Sequence, residues 1–288
     1  MEKNINSKYE LIENDKDLFL LQKKWEDEEI TLIAMDFEGE FNLHVYGEHL
    51  CLVQLFDRKN YYLVDALKIS KEALKVFLES NIQKIMFDCS SDSTLVRRES
   101  GIILKKIFDI RILAKAVGYY GNLAGLIVRN LKIENLDSNK KKKQMSNWMK
   151  RPLSPDQLLY ALNDVKYLFD LKESLEQEIK DLPDKEIKAI NWRMSNSGKP
   201  KHKDTLEWER LCSRRMSERT KIYLREYWFA RDKIAQKRNR PASFIIDKKT
   251  LINMAQEENY KRVEFLTKKE LNEFKEAENK IHQALTKI

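Results

Sequence analysis

An α/β domain with a mixed sheet flanked by helices, followed by an all-α bundle, is the architecture this sequence predicts, and three observations predict it. Up to about residue 180, short apolar runs rich in β-branched and aromatic residues alternate with stretches of helical periodicity, the pattern of a sheet covered by helices. The Ser-Asn-Ser-Gly-Lys-Pro stretch at 195–200 then interrupts that pattern as a linker does. Beyond it the chain reads as helix almost throughout. A length of 288 residues accommodates two domains, each able to bury a core.

The elements follow in order. YELIEN reads as a short strand and DLFLLQKKWEDEE as a helix, and ITLIAMDFEGE is a buried strand that leaves its core at Asp36. HLCLVQLFD and YYLVDAL are two further strands, with DRKN between them as a hairpin turn. SKEALKVFLES has helical spacing, KIMFD is a short strand, and SSDSTLVRRES opens a helix with serine and aspartate where a cap belongs. FDIRILAKAVGYY and LAGLIVRNLKI read as helices, and NKKKKQ as a loop. One long helix is expected from LSPDQLLYALNDVKYLFDLKESLEQEIKDL, where Ser154 is the N-cap, Pro155 the first helical residue and Gln157 the partner in a capping box. These boundaries place a first domain at 1–180, a linker at 181–204 and a helical domain at 205–288. In the last helix Thr267 and Glu270 form a second capping box.

Composition narrows the class. Apolar residues make up 42% of the chain, charged residues 35%, and the mean hydropathy is −0.62, the balance of a folded, water-soluble protein. No run approaches the roughly 20 apolar residues that span a bilayer, so a cytoplasmic protein without membrane contact is expected. Cys51, Cys89 and Cys212 are odd in number and widely spaced, which supports neither a disulfide framework nor a zinc site. The net charge of +8 is uneven: residues 185–240 hold 17 Lys/Arg against 7 Asp/Glu. Such asymmetry suits a segment that faces a polyanion.

Asp36 and Glu38 stand two positions apart on a strand, so both side chains leave the face opposite Met35 and Phe37. Two like charges that close raise each other's pKa unless a cation joins them. Asp92 follows the strand KIMFD at a helix start, and Asp164 lies four residues after Tyr160, on one helical face with it.

Taken in order, MDFEGE, FDCSSDSTLV and YALNDVKYL resemble the three motifs of the DEDDy 3′-5′ exonucleases, the ribonuclease D family within the ribonuclease H-like fold. WMKRPLSPDQLLYALNDVKYL is especially similar to ribonuclease D, and the resemblance covers roughly residues 8–180. It implies that Asp36, Glu38, Asp92 and Asp164 ligate two divalent cations, Mg²⁺ or Mn²⁺, and that Tyr160 handles the attacking water. The chemistry agrees, since an all-carboxylate cage suits hard cations, and two of them can activate water while stabilising the leaving 3′ oxygen. A phenol of pKa near 10 is a poor free base, so Tyr160 is expected to orient the water. Phe87 stands where the second motif more often begins with histidine, and DFEGEFNLH with FDCSSDS is similar to a branch with Egalitarian-like domains that includes binding roles. Asp88 and Asp109 are read as structural.

YLREYWFARDKIAQKRNRPASFIIDKKTLINMAQ resembles the HRDC domain that follows the exonuclease domain in ribonuclease D, which implies a nucleic-acid-binding module. Tyr223, Tyr227, Ala230 and Ile234 form one helical stripe and are expected in its core. Arg214, Arg215, Arg219, Lys237, Arg238 and Arg240 are the candidate phosphate contacts, and the run Lys140–Lys143 could lie beside an entering strand. The expected reaction removes nucleotides from RNA 3′ ends, by a monomer. Single-stranded DNA as substrate, or a catalytically weak RNA-binding adaptor, are the alternatives.

Overall fold

Alternation of apolar and polar side chains builds a six-stranded sheet in the first half of the chain. The structure is a computed structural model that describes residues 9–134, 143–200, 205–260 and 266–286. They fall into two units, Met1–Glu40 with Glu48–Lys201, and Phe41–Gly47 with His202–Ile288.

In the first unit the strands are β1 (Tyr9–Ile12), β2 (Leu32–Phe41), β3 (Glu48–Phe56), β4 (Tyr61–Val64), β5 (Gln83–Met86) and β6 (Ile107–Asp109), in the order β1-β4-β3-β2-β5-β6. β1 runs parallel to β4, β4 antiparallel to β3, and β2, β5 and β6 are mutually parallel neighbours. The sheet is therefore mixed, as the sequence predicts. At the DRKN turn the Asp57 carboxylate accepts the backbone N–H groups of Lys59 and Asn60 at 2.9 and 2.6 Å, which closes the hairpin.

Each face of the sheet carries its own core. Ile33, Met35 and Phe37 of β2 pack with α1 (Asp15–Asp27), α2 (Lys71–Leu78) and α3 (Ser90–Ser100) on one side. Ala34, pointing the other way, joins α4 (Ile110–Ala116), α5 (Leu123–Leu131) and α7 (Leu168–Glu178). β5 also buries Lys84 completely, its ammonium donating to the carbonyl and hydroxyl oxygens of Ser80 at 3.0 and 3.1 Å. Burial is the main reason that the Lys84 pKa falls to about 7.

Several boundaries differ from the sequence reading. The long helix begins at Ser154 with its capping box intact, but it breaks at Tyr167 (φ −105°, ψ 4°) into α6 (Pro155–Lys166) and α7. FDIRILAKAVGYY opens with strand β6, and the Asp109 carboxylate then caps α4. The serine and aspartate expected to cap α3 lie inside it, because Cys89 takes the cap position without a side-chain bond. The stretch 181–204 is not all linker: α8 (Asp184–Ser195) forms within it and buries Ile190 against the α4 and α7 side. Lys140, Lys141 and Lys142 lie outside the described residues, and Lys143 stands 4.0 Å from Asp156.

The second unit contains α9 (Glu207–Leu211), α10 (Glu218–Arg238), α11 (Ala242–Ile245), α12 (Lys248–Gln256) and α13 (Lys268–Leu285). Tyr223, Tyr227, Ala230 and Ile234 of α10 are buried together with Phe274 and Ile281 of α13, as the stripe predicts. Fully buried Arg231 is held by the Glu207 carboxylate at 2.5 Å and the Ile246 carbonyl at 3.2 Å. Thr267 and Glu270 form the expected capping box of α13. Among the described residues no helix is long and apolar enough to cross a membrane.

Candidate active site

Strand alternation that sends Met35 and Phe37 into one core sends Asp36 and Glu38 to the opposite side of β2. α6 packs across β3, next to β2, and its i, i+4 spacing presents Tyr160 and Asp164 together. Asp36, Glu38 and Asp164 each bring a carboxylate oxygen within 4.8 Å of the others, with Glu38 and Asp164 buried and Asp36 partly exposed. Buried carboxylates rarely converge without a compensating partner, and a set with neither sulfur nor imidazole suits a hard divalent cation. The residues present therefore fit such an ion.

Tyr160 borders the same group. Burial, and then the charges of Asp164, Glu38 and Asp36, hold its hydroxyl well above the ordinary tyrosine pKa, and that hydroxyl donates to Asp164. The phenol is a proton holder in this setting. Its ring packs against Trp148 with centroids 6.1 Å apart and lies in a cluster with Cys51, Leu52 and Leu63, so the hydroxyl is aimed by a rigid wall.

The Asp92 carboxylate is not within 4.8 Å of all three of the others, and it feels the charges of Asp109 and Asp88. Desolvation first, and those two charges next, raise its pKa to about 7. Asp109 accepts the backbone N–H groups of Asp88, Cys89 and Arg111 at 2.8, 3.3 and 2.9 Å, which pins the turn before α3. That is the structural role the sequence reading assigns to Asp109. The cysteine thiols are free, and burial pushes Cys51 up to about 12 and Cys89 higher still.

Two supports were not singled out from sequence. Gln54, fully buried on β3, donates from Nε2 to Glu38 Oε1 at 3.2 Å. Its signal was a lone amide inside the apolar run CLVQLF. Arg151 meets buried Asp65 through two hydrogen bonds of 2.7 and 2.6 Å, and donates to the carbonyls of Trp148 and Cys51 at 2.7 and 2.8 Å. This clamp fixes the segment that enters α6.

The basic candidates divide into two groups. Arg219 pairs with Glu258, Lys237 with Glu273, and Arg238 with Glu270. Arg214, Arg215 and Arg240 are exposed. Three cations of the six are thus neutralised within the unit.

Residues 9–180 match the family model described as 3′-5′ exonuclease. The chain is 34% identical over 155 residues to ribonuclease D of Haemophilus influenzae, covering 53% of this chain and 38% of that protein. It spans about half the length of the curated relatives it matches. Its fold superposes on Escherichia coli RNase D with a TM-score of 0.72 at 23% identity, covering 97% of this chain and 76% of the other. The catalytic core of RRP6 from Trypanosoma brucei gives 0.72 at 20%, covering 96% and 81%. With the carboxylates gathered on β2 and α6 and the match spanning the whole sheet domain, this chain belongs to the 3′-5′ exonuclease family.

Proposed function

We propose that the chain is a metal-dependent 3′-5′ exoribonuclease that hydrolyses phosphodiesters at RNA 3′ ends and releases nucleoside 5′-monophosphates. The convergence of Asp36, Glu38 and Asp164 beside the Tyr160 hydroxyl carries this reading. RNA is the proposed substrate because the relatives are ribonucleases, the E. coli protein being described as an exoribonuclease involved in structured RNA processing. The enzyme is proposed to act in the cytoplasm, as a monomer.

The proposed ligands of two divalent cations, Mg²⁺ or Mn²⁺, are Asp36, Glu38 and Asp164, with Asp92 completing the set. Bound cations supply Lewis acidity for water and offset charge on the phosphate and the leaving 3′ oxygen. The chain's own groups do the placing. Gln54 fixes the orientation of Glu38 by donating to one of its oxygens. Tyr160, protonated at neutral pH, acts as a hydrogen-bond donor that orients water or phosphate oxygen rather than as a base. The helical unit is proposed as an HRDC-like accessory module, with exposed Arg214, Arg215 and Arg240 as its phosphate contacts and Arg219, Lys237 and Arg238 in supporting positions.

The test is a time course on 5′-labelled single-stranded RNA and matched DNA with Mg²⁺, Mn²⁺ or chelator. A metal-dependent ladder shortening from the 3′ end of RNA, lost in Asp36→Ala, is expected. A ladder on DNA alone would change the substrate, and intact RNA in every lane with retained binding would make the chain an adaptor.

A further inference from the structure

At the C-terminal end of α10 the chain turns sharply. Asn239 adopts the left-handed conformation (φ 47°, ψ 50°), the Arg240 N–H returns to the Ala235 carbonyl at 3.0 Å, and Pro241 starts α11. Pro241, Ala242, Ile245 and Ile246 are all buried at this corner, so its backbone is anchored from below. Phe244 alone of these apolar side chains is turned outward, 65% exposed. It lines an open cavity of about 430 Å³ together with Arg238, Arg240 and the edge of Ile245.

The two arginines differ. Arg238 is tied to Glu270 by two hydrogen bonds of 2.6 Å and forms a fixed wall. Arg240 makes no side-chain hydrogen bond or ion pair among the described residues, so its guanidinium is available to an incoming anion. An outward aromatic face and an available guanidinium lining one cavity, on an anchored backbone, offer a π surface and a phosphate donor side by side. A nucleotide presents the matching pair, a base and a diester. The surrounding segment is basic, with 17 Lys/Arg against 7 Asp/Glu over residues 185–240, which favours a polyanion over an acidic peptide of mixed charge.

We propose that this cavity is a subsite for one unpaired nucleotide of single-stranded RNA, its base stacked on Phe244 and its phosphate held by Arg240. The proposal rests on the exoribonuclease reading for the identity of the polymer, and it adds an aromatic contact that charge alone does not supply. The Tyr223 and Tyr227 rings cannot play this part because they are buried in the core of the unit.

The test measures fluorescence anisotropy of an unstructured, labelled RNA oligonucleotide with the full-length chain in chelator, where hydrolysis is absent. Phe244→Ala is expected to weaken binding by about 5-fold to 100-fold, and Phe244→Trp to restore it, which separates stacking from damage to the fold. Arg240→Ala is expected to lower the slope of log affinity against log salt by about 0.7. An abasic oligonucleotide of equal length should bind wild type and Phe244→Ala alike. Equal affinity of wild type and Phe244→Ala for the intact RNA overturns the subsite, as does an equal loss on the abasic strand. Metal-dependent 3′ trimming, measured in parallel on the wild type, decides the exoribonuclease reading separately: trimming with unchanged Phe244→Ala binding removes only the subsite, whereas weakened Phe244→Ala binding without trimming keeps the subsite in a protein that does not cut.

Discussion

Replacing Arg151 with alanine removes the cation that faces Asp65, a carboxylate with 1% of its side chain exposed. Arg151 supplies two hydrogen bonds to that carboxylate and others to the carbonyls of Trp148, Lys150 and Cys51. Asp65 keeps one weak backbone donor, the Leu67 N–H at 3.3 Å. Stripping one partner from a buried pair leaves a desolvated charge, a loss of about 3–5 kcal/mol. For a unit of this size that corresponds to a fall of about 6–20 °C in its melting temperature. Differential scanning calorimetry reads this fall. Activity should fall further than stability alone requires at temperatures where the variant is folded, because the clamp holds the segment entering α6, which carries Tyr160 and Asp164. The double variant Asp65→Leu with Arg151→Met removes both charges and should recover most of the stability. A loss below about 1 kcal/mol in Arg151→Ala would mean that the pair behaves as an ordinary surface contact and that burial does not strengthen it.

Three other outcomes follow from the same fold. Tyr160→Phe removes a hydroxyl while keeping a buried ring, so kcat on RNA should drop by about 10²-fold or more with the melting temperature nearly unchanged. Gln54→Leu takes the N–H donor from Glu38 and should weaken Mn²⁺ affinity, read by titration calorimetry, by about 10-fold to 100-fold; unchanged affinity would remove Gln54 from the site. Lys84 has a folded pKa near 7, below its free value, so the folded state carries its greatest penalty below pH 7 and is relieved as pH rises towards 10.5. Lys84→Met should therefore be favoured over wild type more strongly at pH 6 than at pH 9 in urea denaturation, and a pH-independent difference would show that the amine is solvated.

Short-range geometry makes part of the site legible in the chain itself. The period of two on β2 puts Asp36 and Glu38 on one side, and the i, i+4 relation in α6 puts Tyr160 with Asp164. Capping boxes at Ser154 and Thr267 are local bonds within four residues, so their chemistry is written in the chain. The break at Tyr167 and the three-residue strand β6 are hidden, because helical propensity runs through both and only packing overrides it.

The sequence by itself determined most helices and most strands, and the pairing of Asp36 with Glu38 and of Tyr160 with Asp164, since each depends on neighbours a few residues away. The fold alone decided that α6 lies across β3 so that Asp164 reaches Asp36 and Glu38, and that the charges of Asp88 and Asp109 act on Asp92. It also joined Arg151 to Asp65, 86 residues distant, and Gln54 to Glu38, and turned Phe244 outward among buried neighbours. Such contacts depend on how strands are ordered and helices are laid on them, and no periodicity along the chain records that ordering.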